Sequence, residues 1–153
     1  MKVMIQKASL ADLDKLMEWR MEVLHEVFSI PQERDTQSLH QSNLEYYKEA
    51  ISNGSHVAIF AVRDQKTVGC GGLCLYREMP SPDNPSGQCA YLMNVYTRKE
   101  YRGTGVGRAV VQWLARYARE KGVTKIYLET SGNGRAFYEG LGFRDMLDYM
   151  KLQ

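Results

Sequence analysis

The chain has 153 residues, 44% of them hydrophobic and 25% charged, with a formal net charge of +2. That length fits one domain with a sizeable core, the balance excludes a disordered chain, and so small a charge gives no reason to invoke nucleic acid. Cys70, Cys74 and Cys89 are odd in number and lack Cys-x-x-Cys spacing, which argues against a disulfide framework or a zinc site and leaves reduced thiols. His25, His40 and His56 are too dispersed for a metal centre and are expected at the surface or at edges. The longest wholly apolar run, Val57 to Val62, is far too short to cross a bilayer, and Met1 leads into a polar-interrupted run instead of a leader. The expectation is a cytoplasmic protein with no metal and no membrane contact.

In chain order, Val3 to Lys7 reads as a short strand, and Ser9 with Asp12 forms a capping-box variant that opens a helix running to about Phe28. The buried stripe of that helix is expected at Leu13, Met17, Leu24 and Val27. Arg20 interrupts it, either as a snorkelling or ion-paired side chain at the core edge or as a contact to substrate. Pro31 and its polar neighbours make Ser29 to Gln37 a loop, and a second helix covers about Ser38 to Ser52 before Asn53-Gly54 stops it. Ser55 to Arg63 reads as a central strand, apolar on both faces. Thr67 to Tyr76 follows as a strand whose Gly69, Gly71 and Gly72 suggest a bulge or a close approach. Pro80, Pro82 and Pro85 stiffen the loop Arg77 to Gly87, which is either a cover for the site or a plain connector. Gln88 to Thr97 alternates as a strand, and Val106, Val110, Trp113, Leu114 and Tyr117 recur at helical spacing up to Lys121. Lys125 to Thr130, Arg135 to Glu139 and Arg144 to Leu152 then read as strand, short helix and closing strand.

The chemistry concentrates at Arg102-Gly-Thr-Gly-Val-Gly107, between a strand and a helix. Glycines there clear Cβ atoms from the backbone and admit positive φ, so that N–H groups converge on an anion at a helix N-terminus. Arg98, Lys99, Arg102 and Arg108 surround the turn with positive charge, which suits a diphosphate. A P-loop would need Lys and Ser/Thr after Gly107, where Arg108 and Ala109 stand. A dinucleotide fingerprint fits better through Gly103, Gly105 and a carboxylate at Glu129. Its third glycine is one place early, however, and no train of βα units follows.

The segment Val95-Tyr-Thr-Arg-Lys-Glu-Tyr-Arg-Gly-Thr-Gly-Val-Gly107 resembles the acyl-CoA signature of the GNAT superfamily of N-acyltransferases, and Gly134-Arg-Ala-Phe-Tyr-Glu-Gly-Leu-Gly-Phe143 is similar to that family's closing helix and turn. The resemblance implies an α/β fold with a mixed, mostly antiparallel central sheet, splayed strands and flanking helices, over a single domain of residues 1–153. It implies acetyl-CoA as co-substrate, with the pyrophosphate at Arg102, Gly103, Thr104, Gly105, Val106, Gly107 and Arg108, and the pantetheine at backbone groups of Val95, Tyr96 and Thr97. Asn133 stands near the place where many members contact CoA with an Asn, and Lys99 where many carry a proline. The resemblance makes Tyr138 the acid that protonates the departing thiolate, and it makes direct attack by an amine the reaction, so no cysteine nucleophile is needed. No carboxylate lies in Tyr91 to Thr97, so the base is unassigned; Glu129 resembles the position that some members use, and a solvated strand end is the equal alternative. The acceptor is a primary amine on a small molecule or peptide, bound by the first two helices, their connection and the segment 77–87. A homodimer is left open. The alternatives are a non-catalytic CoA-binding domain of the same fold and a dinucleotide-binding domain.

Overall fold

The computed structural model describes residues 2–146 and 148–153. Its centre is a five-stranded sheet in the order β1 (Met4–Lys7), β2 (His56–Arg63), β3 (Lys66–Arg77), β4 (Gln88–Thr97) and β5 (Lys125–Leu128). Neighbours pair antiparallel except β4 with β5, which are parallel. That topology removes the dinucleotide-binding alternative, which needs a train of parallel strands.

Helices cover both faces. Helix α1 (Leu13–Val27) and helix α2 (Gln37–Asn53) lie on one side, and helix α3 (Val106–Glu120) lies on the other, with α4 (Gly132–Gly140) after β5. Strand β2 explains the layering, since Val57, Ile59 and Ala61 join the α3 core while Ala58 and Phe60 join the α1/α2 core. The expected capping box is formed: Asp12 Oδ2 accepts from Ser9 N–H at 2.9 Å and Ser9 Oγ accepts from Ala11 N–H at 3.2 Å.

The glycines of β3 serve close approach. A Cβ on Gly71 would lie 2.5 Å from Val110 Cγ1, and one on Gly69 would meet Val106 Cγ1 and Tyr96 O at 2.9 Å. Helix α3 is thereby seated directly on the sheet, with its first turn beside the end of β4. A bulge accompanies them. Gly72 pairs with Met93 and Cys70 with Tyr96, so Asn94 and Val95 of β4 stand opposite Gly71 alone, and Asn94 takes φ +58°.

Three sequence expectations are corrected. Of the expected stripe of α1, Met17 and Leu24 are buried and Leu13 is half-buried, but Val27 is 57% exposed, and Leu16, Trp19 and Val23 complete the buried face. His56 is not at the surface but 5% exposed, in β2 under α2. The closing strand expected at Arg144 to Leu152 is absent among the described residues, with Leu147 outside them. Its start is tied back to α4 by an Arg135–Asp145 ion pair, and Asp148 takes φ +73°, which no strand accepts.

Candidate active site

The glycine turn is an open cradle. Gly103 and Gly105 have φ of +75° and +95°, and a Cβ on either would meet nothing within 4 Å. Helix α3 begins at Val106 with no side-chain cap, and its first bond runs from Ala109 N–H to Gly105 O at 3.1 Å. The N–H groups of Val106, Gly107 and Arg108 are therefore free for an anion at the positive end of the helix dipole. Gly107 has a different reason, since its Cβ would lie 3.1 Å from Phe137 Cζ. It lets α4 close over the first turn of α3.

The side chains of the turn divide by direction. Val106 is buried in the α3 core, so only its backbone faces outward. The Thr104 hydroxyl donates to Tyr101 O and accepts from Arg63 Nη1 at 2.8 Å, while Thr104 O accepts from Arg63 Nη2 at 3.1 Å. Arg63, at the end of β2 and 9% exposed, thus holds the turn from below. Arg102 and Arg108 are exposed; the former donates from Nε to Thr97 O at 2.9 Å and lies over the Tyr96 ring. Arg98 leaves the expected phosphate-facing cluster, because its fork is spent on Glu22 at 2.9 and 3.1 Å and its face on Trp19.

Beside the cradle the sheet opens. Pairing of β4 with β5 ends at Leu92 with Leu128, while β4 continues to Thr97. Val95, Tyr96 and Thr97 thus have a sheet edge without a β5 partner, and the Tyr96 side chain is packed in the α1/α2 core with Trp19. Tyr138 is half-buried against Phe137 and Phe143, and burial pushes its phenol up. Glu129, just past β5, is exposed and faces Tyr91, whose phenol is raised by burial and by that carboxylate. Asn133 is exposed in the first turn of α4.

On the other face, a cavity of about 140 Å³ lies between α1, α2 and the β4 bulge. Arg20 reaches into it, donating from Nε to Asn43 Oδ1 and from Nη1 to Asn94 Oδ1, each at 2.9 Å. The Tyr46 hydroxyl lies 2.8 Å from His56 Nδ1, and burial pushes His56 down to about 4 and the Tyr46 phenol up. The loop 77–87 is elsewhere. Buried Asn84 and the Glu78–Lys125 pair tie it to the start of β4 and β5, the opposite end of β4 from the cradle.

The profile of the acetyltransferase (GNAT) family matches residues 13–143. The chain belongs to this family. It is 37% identical over 62 residues to a glucosamine 6-phosphate N-acetyltransferase of Trypanosoma brucei brucei, covering 40% of this chain and 42% of that protein. It is 30% identical over 97 residues to a thialysine N-epsilon-acetyltransferase of Sus scrofa, covering 49% and 57%. The chain therefore spans about half the length of the curated relatives it matches. A crystal structure of a predicted acetyltransferase with acetyl-CoA from Clostridium acetobutylicum superimposes with a TM-score of 0.87 at 24% identity, over 99% of this chain and 96% of that one.

As a GNAT chain the protein keeps the turn and the splayed strands where its sequence signature lies. Sequence reasoning missed Arg63, Asn43, Tyr46, His56 and the bulge residue Asn94. One signal was available for the last: an Asn stands at an inward position of an otherwise apolar alternation, and Asn tolerates positive φ better than its neighbours would. No cluster of metal-ligating side chains occurs among the described residues, and no helix there is long and apolar enough to cross a membrane.

Proposed function

We propose that this chain is a single-domain N-acetyltransferase that moves an acetyl group from acetyl-CoA to a primary amine of a small molecule or peptide, by direct attack in a ternary complex. The carrying observation is the uncapped first turn of α3 behind Gly103 and Gly105, set beside the end of β4 that β5 leaves unpaired. A diphosphate suits the first and an extended amide-bearing tail suits the second. Such a tail bonds to free backbone groups as an added strand would. Three unpaired cysteines accord with a reducing compartment such as the cytoplasm.

In this reading the amine nitrogen attacks the thioester carbon, the carbon–sulfur bond breaks, and the sulfur takes the Tyr138 proton. A phenol is protonated at neutral pH, as a donor requires, and burial raises this one further. Glu129 stands on the same face of the sheet as Tyr91 and takes the proton released by the amine, directly or through water. The cysteines stay out of the chemistry. Cys70 is buried and raised to about 12 by burial, far from a reactive thiolate.

Calorimetry with acetyl-CoA, CoA and NADH, followed by thiol release against an amine panel, tests this. Micromolar acetyl-CoA binding with amine-dependent thiol release is expected. Binding without release from any amine would favour a CoA-binding domain, and no CoA binding would end the proposal.

A further inference from the structure

The cavity between α1, α2 and the bulge of β4 contains a cation that the protein does not neutralise. Arg20 is held by the carbonyl oxygens of Asn43 and Asn94, both neutral, and the ion pairs among the described residues are Arg98–Glu22, Lys125–Glu78 and Arg135–Asp145. Two of its five N–H groups are used, and its Nη2 end makes no bond within the described residues. The asparagines therefore orient the guanidinium without discharging it. The surrounding groups are neutral at physiological pH. Burial holds His56 near 4 and Tyr47 near 12, and the charge of Arg20 acts on both. An oriented, half-buried, unpaired guanidinium in a neutral cavity is a receptor for an anion.

Building on the transferase reading, we infer that Arg20 binds a carboxylate on the acceptor, so that the substrate class is a small amine carrying a carboxylate, as amino acids do. The size fits. The cavity of about 140 Å³ has room for a carboxylate with its adjoining carbons. The charge also fits. A dianionic phosphate calls for a second cation, and Arg20 is the one cation lining the cavity. Asn94 belongs both to this cavity and to the bulge of β4, so a carboxylate seated on Arg20 lies one short chain away from the strand that the thioester follows. Arg20 would then set specificity, and its bonds to Asn43 and Asn94 would set the direction of its fork.

The alternative role for Arg20 is a stitch between α1, α2 and β4, and the experiment must separate the two. Thiol release is measured with free α-amino acids and with 3-aminopropanoate to 6-aminohexanoate, each against its carboxamide, so that the ω-amine is held nearly constant while the charge is removed. At least one acid should exceed its amide about 30-fold in kcat/KM, through KM. Arg20→Gln should bring that ratio below about threefold with acetyl-CoA affinity unchanged, and Arg20→Lys should keep part of it. Equal rates for acids and amides, or a preference that survives Arg20→Gln, would overturn the assignment. Calorimetry of the same acids on CoA-saturated protein keeps this separate from the transferase reading. Acid binding that Arg20→Gln abolishes supports the site even where no thiol appears, and absence of acid binding overturns it. Phosphoethanolamine binding as tight as the best acid would also overturn the choice of a carboxylate.

Discussion

Gly105→Ala tests the cradle, and Gly122→Ala calibrates it. Both glycines have positive φ, +95° and +82°, so an alanine at either place adopts a conformation costing an L-residue about 1–2 kcal/mol. For a chain of this size each kcal/mol lowers Tm by about 2–4 °C, so both variants should melt about 2–8 °C lower. They should differ in ligand affinity. A methyl group at Gly105 meets no protein atom within 4 Å and fills the space proposed for the pyrophosphate, whereas one at Gly122 meets only Gln88 Oε1 at 3.9 Å. Gly122 also lies about 25 Å along α3 from the cradle, at 1.5 Å per residue. Losing one charge-assisted hydrogen bond costs about 1.5–3 kcal/mol, so Gly105→Ala should weaken acetyl-CoA about 10- to 150-fold while Gly122→Ala leaves it unchanged. The assay is calorimetry on both variants beside their melting curves. Equal destabilisation with equal affinity would refute the reasoning and leave the turn as a helix start with no ligand.

Tyr138→Phe should keep acetyl-CoA affinity within about twofold and lower kcat by about 10²- to 10⁴-fold at every pH; full turnover would make Tyr138 a packing residue beside Phe137 and Phe143. Arg63→Met removes the bonds to Thr104 Oγ1 and Thr104 O, so it should weaken acetyl-CoA about tenfold without touching it, as read by calorimetry; unchanged affinity would mean that the turn holds its shape unaided. His56 is held near 4, below its unfolded value of 6.5, so the unfolded chain binds its proton first and stability falls as pH falls through that interval. The full loss below pH 4 is about 3 kcal/mol, and denaturant unfolding between pH 7 and 4 should show His56→Gln losing correspondingly less; identical acid slopes would mean that His56 protonates freely inside the fold.

What was legible in the sequence was local. Gly103 and Gly105 announce positive φ, Val106 to Tyr117 announce a helix by their period, and the N-terminal end of that helix is the proposed anion site, all within one short stretch. Arg63 could not be read that way. At the end of an apolar strand it resembles any solvated strand terminus, and the hydroxyl it holds, on Thr104, is 41 positions away. The stripe of α1 failed at its end for a related reason. Periodicity fixes which residues share a face, but the sheet decides how far along the helix that face is covered, and coverage stops before Val27. The closing strand was an inference from the order of elements, and a strand exists only where a neighbour pairs with it. β5 is short and pairs on one side, and in the following segment Tyr149, Met150 and Leu152 stand exposed.

The candidate site divides along the sheet in a way that explains why one half was easier to find. The nucleotide end is made of backbone, and backbone geometry leaves a mark in the sequence as glycine. The proposed acceptor end is made of side chains from α1, α2, β2 and β4, each an ordinary polar residue in its own element, and only the fold brings Arg20, Asn43, His56 and Asn94 together. The two ends meet at the bulge of β4. There Asn94 turns out of the ladder at φ +58°, offers its side-chain carbonyl to Arg20 and its backbone carbonyl to the Cys70 thiol, and interrupts the pairing with β3. A strand in regular pairing has no free N–H on that side to meet a developing oxyanion. A bulge leaves its extra residue unpaired, so in the proposed reaction this is the place for an oxyanion site, with the amine approaching from the Arg20 side and the thioester from the splayed edge.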